Sequence, residues 1–295
     1  MGGLRHSLPA KLLMLAPLAL MLLLVGCGSD ADNITFVSEV DGDAEIYVID
    51  PDSGEAVPLT DNHSSDTNPI WSPDGKQVAY VSDESGDLEI NVVDHKGKLT
   101  SRLTHIPGDD GTPLWSPDGQ DLAFISNQDG NAEVYKMDIQ SRSLKRLTNH
   151  WSIDTEPTWD HTGEGFFFTS DRSGGPQIYH KSSESAEPRR ITFGSRYNAR
   201  PRPDNDGKYV YYVHQRDKAF HIARTNLQTE EETILTRTES DESPSVSPNG
   251  RMLIYATKQG GDSVLTVIAA DGGAAYSLPA SEGDVREPAW SPIVK

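Results

Sequence analysis

Hydrophobic residues along this chain fall in short runs rather than in helical stripes. Five runs set the pattern: Val78-Ala79-Tyr80-Val81-Ser82, Leu122-Ala123-Phe124-Ile125-Ser126, Phe166-Phe167-Phe168-Thr169-Ser170, Val210-Tyr211-Tyr212-Val213 and Leu253-Ile254-Tyr255-Ala256-Thr257. Each is β-branched or aromatic and is closed by Gly, Asp, Asn or Ser, which reads as a strand followed by a turn. A second run follows the turn, as in Glu89-Ile90-Asn91-Val92-Val93-Asp94 and Glu133-Val134-Tyr135-Lys136-Met137-Asp138. A third short strand then ends in Leu59-Thr60, Leu103-Thr104 or Leu147-Thr148, with Ile191-Thr192 and Leu235-Thr236 as variants. No stretch from Asn33 onward carries a 3.6-residue period. The pattern predicts an all-β protein.

The runs repeat at a fixed interval. Trp71-Ser72-Pro73-Asp74-Gly75 returns as Trp115-Ser116-Pro117-Asp118-Gly119. It is eroded at Trp159-Asp160-His161-Thr162-Gly163, Pro203-Asp204-Asn205-Asp206-Gly207 and Val246-Ser247-Pro248-Asn249-Gly250, and returns at the end as Trp290-Ser291-Pro292. A proline stands two residues upstream of each copy, at Pro69, Pro113, Pro157, Pro201, Pro244 and Pro288, in steps of 44, 44, 44, 43 and 44 residues. A period of this size signals a propeller or a solenoid. The Pro-Asp-Gly turn has a mechanism: Pro fixes φ at the second position, and Gly accepts the positive φ that follows. With four strands per unit, residues 33–295 make six units. The first unit begins at Ile34-Thr35-Phe36-Val37-Ser38, which matches the second strand of a blade; Pro288-Ala289-Trp290-Ser291 supplies the missing first strand. The expectation is a six-bladed β-propeller closed by pairing of the C-terminal strand with the N-terminal blade. Closure removes free sheet edges. The repeated Trp71, Trp115, Trp159 and Trp290 are expected to pack blade on blade rather than to stack on a ligand.

These phrases resemble the TolB-type β-propeller family: Pro-x-Trp-Ser-Pro-Asp-Gly, a β run ending in Ser, and an Ile-Tyr-x-x-Asp run, as in Ile46-Tyr47-Val48-Ile49-Asp50. The resemblance covers residues 33–295. It implies a propeller that receives a partner on the face carrying the channel mouth. Proteins of the family proper carry an α/β domain before the propeller; here a targeting segment precedes the first strand, so the resemblance is taken for the propeller alone.

That segment reads as a secretory signal. Arg5 and Lys11 give the positive start, and residues 12–25 are apolar but short for a membrane span. They run into Leu24-Val25-Gly26-Cys27, which looks like a bacterial lipobox. Cys27 is the single Cys of the chain, so it is expected to carry lipid and no disulfide is expected. The expected organisation is a lipoprotein signal at 1–26, a tether at 27–32 and a propeller at 33–295. The protein would be exported and held on a bacterial membrane by lipid alone, in the periplasm or at the cell surface. A net charge of −19 argues against nucleic acid and against docking on anionic lipid.

Two sets of residues lead into each first strand. Three before the marker proline stand Asp66, Asp110, Asp154, Asn198 and Asp241, with Asp284 offset by one. One before it stand Asn68, Thr112, Glu156, Arg200, Ser243 and Glu287. Period two would turn both sets toward the channel mouth. Converging carboxylates there would suit a basic partner segment or a cation, while repetition of the Asp set favours carboxylates that cap their own loops. The varied second set is the better candidate for specificity. The loops around Asp41-Gly42-Asp43, Asp83-Glu84-Ser85-Gly86-Asp87 and Asp129-Gly130-Asn131 hint at Ca2+ but lack the spacing of an EF-hand, and no metal or cofactor is expected.

No nucleophile elbow, metalloprotease helix or phosphate loop is present, and the nine His are scattered. The sequence therefore predicts a non-catalytic, monomeric module that binds an envelope protein or peptide at the channel mouth. The alternatives are a carbohydrate lyase or hydrolase, or a small-molecule or metal receptor, using the same funnel.

Overall fold

The computed structural model describes residues 33–40, 42–51, 53–278 and 284–292. The expected signal, Cys27 and the tether lie outside them, as does Asp41. Twenty-four strands form six four-stranded antiparallel sheets, and no helix occurs among the described residues. The innermost strands are Val285–Trp290 in blade 1, then Asp66–Trp71, Asp110–Trp115, Asp154–Trp159, Asn198–Pro203 and Glu242–Val246 in blades 2 to 6. Each contacts the innermost strands on both sides, so the sheets close into a ring.

Closure follows the expected route. Val285–Trp290 pairs antiparallel with Ile34–Ser38, placing Trp290 opposite Ile34 and Val285 opposite Ser38. Ser291 N–H donates to the Asn33 carbonyl at 2.7 Å, the bond that Ser72 N–H makes to Gln77 inside blade 2. The turn after each innermost strand works as its residues dictate. Ser72 Oγ donates to Asp74 Oδ1 (2.7 Å) and accepts Gln77 N–H (3.0 Å), while Gly75 takes φ +68°.

The core is six hydrophobic clusters, one at each blade–blade interface. Trp115 packs against Ile90 and Val92 of the preceding blade, and Trp71, Trp159 and Trp290 recur in the same role. The tryptophans are packing residues. The Leu-Thr pairs differ from expectation in detail: the outermost strands stop just before them. Leu59 and Leu103 leave the sheet to enter the interface clusters. Thr60 Oγ1 then accepts the Ile46 N–H at 2.9 Å, and Thr104, Thr148, Thr192 and Thr236 do the same in turn. Blades 5 and 6 carry longer central hairpins than their short runs suggested, turning at Asp217-Lys218 (φ +51° and +72°) and Gly260-Gly261 (φ +67° and +105°). Two consecutive positive φ values match the right-handed twist of a two-residue hairpin.

Candidate functional site

Each innermost strand carries a bulge at the same place. The register with the second strand slips between Thr67 and Ile70, Gly111 and Leu114, Thr155 and Thr158, Ala199 and Arg202, and Glu242 and Ser245, with the matching slip in blade 1. The residue before the marker proline is left-handed every time: Asn68 +53°, Thr112 +45°, Glu156 +53°, Arg200 +58°, Ser243 +52° and Glu287 +53°. Left-handed φ is uncommon outside Gly and Asn, and a following proline disfavours it further. Six residues of five types share it, so the conformation is imposed by blade geometry and not by the side chain.

The bulge sorts the two candidate sets. It breaks the period-two alternation, so residues 68 and 70 and their counterparts face the channel, with the exception of Thr158, which is buried and does not line it. Asn68, Thr112, Glu156, Arg200, Ser243 and Glu287 converge on one cavity of about 210 Å³. A second tier below them consists of Ile70, Leu114, Arg202, Ser245 and Ala289.

The Asp set goes elsewhere, which corrects the expectation that both sets turn to the mouth. Asp66, Asp110, Asp154, Asn198 and Asp241 are fully buried and do not line this cavity. Asp66 accepts from Asn62 Nδ2 (2.8 Å), Asp154 from Arg172 Nη2 (2.6 Å), and Asp241 from Thr257 Oγ1 (2.6 Å). Asn198 donates to Gln177 Oε1 at 3.0 Å. Asp241 also borders a separate surface pocket with Tyr197 and Glu242. Asp284, offset by one in sequence, is exposed and accepts from Ser263. Burial pushes Asp66 and Asp110 up to about 6 and also raises Asp154, where Arg172 opposes the shift.

The mouth ring is wired across blades. Glu287 Oε2 accepts the Asn68 N–H (2.7 Å) and Glu156 Oε2 accepts the Arg200 N–H (2.8 Å), each acid reaching the left-handed amide of the next blade. Arg200 Nε lies 3.2 Å from Glu156 Oε1, and its Nη1 donates to Ser243 Oγ. Burial works against the charge on Arg200, yet Glu156, Glu287 and Glu242 together hold its pKa above the ordinary guanidinium value. Arg202, one tier deeper, was not singled out from the sequence. Its signal was an irregularity: it stands where the other repeats carry Ile70, Leu114, Thr158, Ser245 and Ala289.

Of the loops that hinted at Ca2+, those around Asp83 and Asp129 are hairpin turns whose carboxylates already have protein partners, Asp129 accepting from Tyr135 Oη and from Arg146 Nη1 at 3.0 Å. Asp83 Oδ1 accepts the Ser65 N–H at 2.8 Å, and Gly86 and Gly130 take φ +99° and +112°. Among the described residues no three His, Cys, Asp or Glu side chains cluster to hold a metal, and no helix is long and apolar enough to cross a membrane.

Comparison with known proteins agrees with this geometry. The family model for the TolB β-propeller domain matches residues 28–107 and 96–294. The Tol-Pal system protein TolB of Hahella chejuensis is 59 % identical over 64 residues, 22 % of this chain and 15 % of that protein. Its counterpart in Alcanivorax borkumensis is 49 % identical over 75 residues, 25 % of this chain and 17 % of that protein. These matches span far less than two thirds of the relatives' length. The crystal structure of TolB from Acinetobacter baumannii superposes with a TM-score of 0.81 at 35 % identity, covering 93 % of this chain and 70 % of that one.

Proposed function

This chain belongs to the TolB β-propeller family, and we propose that it is a non-catalytic binding module of the bacterial cell envelope whose channel mouth receives a segment of a protein or peptide partner. The observation that carries the reading is the ring of six side chains of five types, held by the same left-handed backbone around one cavity. Backbone strain shared by every blade fixes position, while side-chain variety leaves chemistry free to be specific. Its named relatives, Tol-Pal system proteins, support an envelope setting. The two carboxylates in the ring already accept backbone N–H groups from the next blade, which suits a rigid receptor better than a mobile catalytic acid. Trp151, 81 % exposed in the connection that enters blade 4, offers an aromatic anchor on the mouth side of the ring.

Changing Glu156, Arg200 and Glu287 together to Gln removes the three charges, keeps the size of the two acids and leaves an acceptor for both amides. Crosslinking in cells should then capture the wild type's partner at least about tenfold less well, a loss of about 1.4 kcal/mol. Equal capture by both proteins would remove the mouth from consideration.

The anchor supplies a second prediction. Asn33 lies on the face of the Ser-Pro-Asp-Gly turns, opposite the mouth, because its carbonyl meets Ser291. A lipid on Cys27 would hold that turn face within about 20 Å of the membrane, since six residues reach no further. The mouth would then open away from the bilayer. Cys27→Ser should abolish incorporation of radiolabelled palmitate and move the protein to the soluble fraction; retained label would refute lipidation at this residue.

A further inference from the structure

The channel tier below the mouth ring holds one charged side chain among Ile70, Leu114, Ser245 and Ala289. That side chain, Arg202, is poorly partnered. Its recorded hydrogen bond runs from Nη1 to the carbonyl of Pro201 at 2.8 Å, one of the five N–H donors a guanidinium offers. Among the described residues no carboxylate lies within ion-pair distance of it, whereas Arg200 above it meets Glu156, Glu242 and Ser243. Glu156 and Glu287 act on Arg202 only through space, and both already accept N–H groups of the mouth ring. Enclosure pushes the Arg202 pKa below the ordinary guanidinium value, but arginine keeps its proton. Arg202 is half-buried and lines the channel, so its remaining donors face that space, and an anion entering the channel would give them the charged partner that the fold does not supply.

We infer that Arg202 is the seat of a carboxylate, brought down the channel on the tip of the partner segment that the mouth receives. The inference rests on the reading of the mouth as a partner site and names the chemistry of what enters it. The planar fork of arginine matches a carboxylate in bidentate geometry. A cavity of about 210 Å³ holds roughly seven waters' worth of liquid, enough for one acidic side chain or a chain terminus and too small for a folded element. The charge pattern also sets what surrounds that tip. The protein as a whole carries −19, and Glu242 and Asp284 lie exposed in blades 6 and 1. A segment bearing one carboxylate at its tip and neutral or basic flanks satisfies both regions; a uniformly acidic one is repelled before it arrives. This narrows the basic segment that the sequence offered as one reading: Glu156 and Glu287 stay at the mouth, while Asp66, Asp110, Asp154 and Asp241 are buried within the blades.

The test needs no partner. The full chain in detergent is titrated with N-acetylglutamic acid α-amide, which carries one carboxylate, with N-acetylglutamine amide as its uncharged isostere, and with inorganic phosphate. Binding is read by saturation-transfer NMR on each small molecule. The expected result is saturable binding of the acid with a Kd on the order of 1–10 mM, about tenfold or more weaker binding of the isostere, and loss of acid binding in Arg202→Gln. Arg202→Lys should retain a weakened site, since it keeps charge and loses the fork. Arg202→Gln should melt at or above the wild-type temperature, because it breaks no ion pair and removes a charge that partial burial disfavours. Equal binding of acid and isostere, binding of phosphate without the acid, no saturable binding at all, or a marked loss of stability in Arg202→Gln would each overturn the assignment. Loss of partner capture in the mouth variant is a separate outcome, because that variant leaves Arg202 in place.

Discussion

Truncation after residue 284 should leave a protein that no longer melts cooperatively and that aggregates at temperatures where the intact chain is monodisperse. The removed strand makes two kinds of contact at once. It pairs along Ile34–Ser38, and it sits between the innermost strands of blades 6 and 2. Without it blade 1 loses its inner edge, Phe36 and Ile34 lose their cover, and an apolar strand edge opens. A graded version is Trp290→Ala. Trp290 is 8 % exposed and packs with Ile34, Phe36 and Ile49 of blade 1 and with Ile254, Leu265 and Val267 of blade 6. Trp-to-Ala changes in cores cost about 3–5 kcal/mol, which lowers Tm by roughly 10 °C in a domain of this size. Scanning calorimetry of both variants beside wild type checks this. Truncated and intact proteins melting within a degree or two of each other would mean that the ring does not depend on its seam.

The features legible in the sequence are those that one residue type forces. Pro73-Asp74-Gly75 permits one turn, Trp115 at a fixed step permits one packing site, and Pro288-Ala289-Trp290 has one vacancy to fill. The bulge was not legible. Of the residues that adopt it, Asn68 alone belongs to a type that favours left-handed φ; Thr112, Glu156 and Arg200 are held there by the neighbouring strands. Counting by twos along Asp66, Asn68 and Ile70 therefore put Asp66 in the channel, when one extra residue turns it into the blade. Arg202 went unnoticed for a different reason: it lies beyond the marker proline, where the other repeats carry uncharged residues. Chemistry that repeats was read well, and chemistry that breaks the repeat was read only where it fell beside the marker proline.

The buried carboxylates that the bulge creates should make the protein less stable as pH rises from about 4 to about 6, and the chain contains the remedy. Asp66 lies beside Glu45, which holds the Asn62 N–H at 2.6 Å and the Thr60 hydroxyl. Burial first, then the Glu45 charge, lift Asp66 to about 6, against 3.8 in an unfolded chain. Asp110 is lifted to about 6 by burial and by Glu89. An acid with a raised folded-state pKa contributes stability that is complete below the unfolded value and is lost as pH climbs through the folded one. For these two groups that window runs from about 4 to about 6. The carboxylates with lowered pKa, among them Asp118 and Asp160, act in the opposite sense and yield only under more acid conditions. At the junction of blades 4 and 5 the same two positions are Gln177 and Asn198, joined by a 3.0 Å hydrogen bond, with Thr192 donating to Gln177 as Thr60 donates to Glu45. The fold thus accepts a neutral pair in the geometry of the charged one. Glu45→Gln with Asp66→Asn should raise Tm at pH 8 by a few degrees, corresponding to about 1–2 kcal/mol, and should change it little at pH 4.5. Adding Glu89→Gln with Asp110→Asn should extend the gain, since the two pairs sit at separate interfaces. A loss at pH 8 would show that these carboxylates stabilise the blades as ions, and a gain that is the same at both pH values would show that burial does not govern their titration.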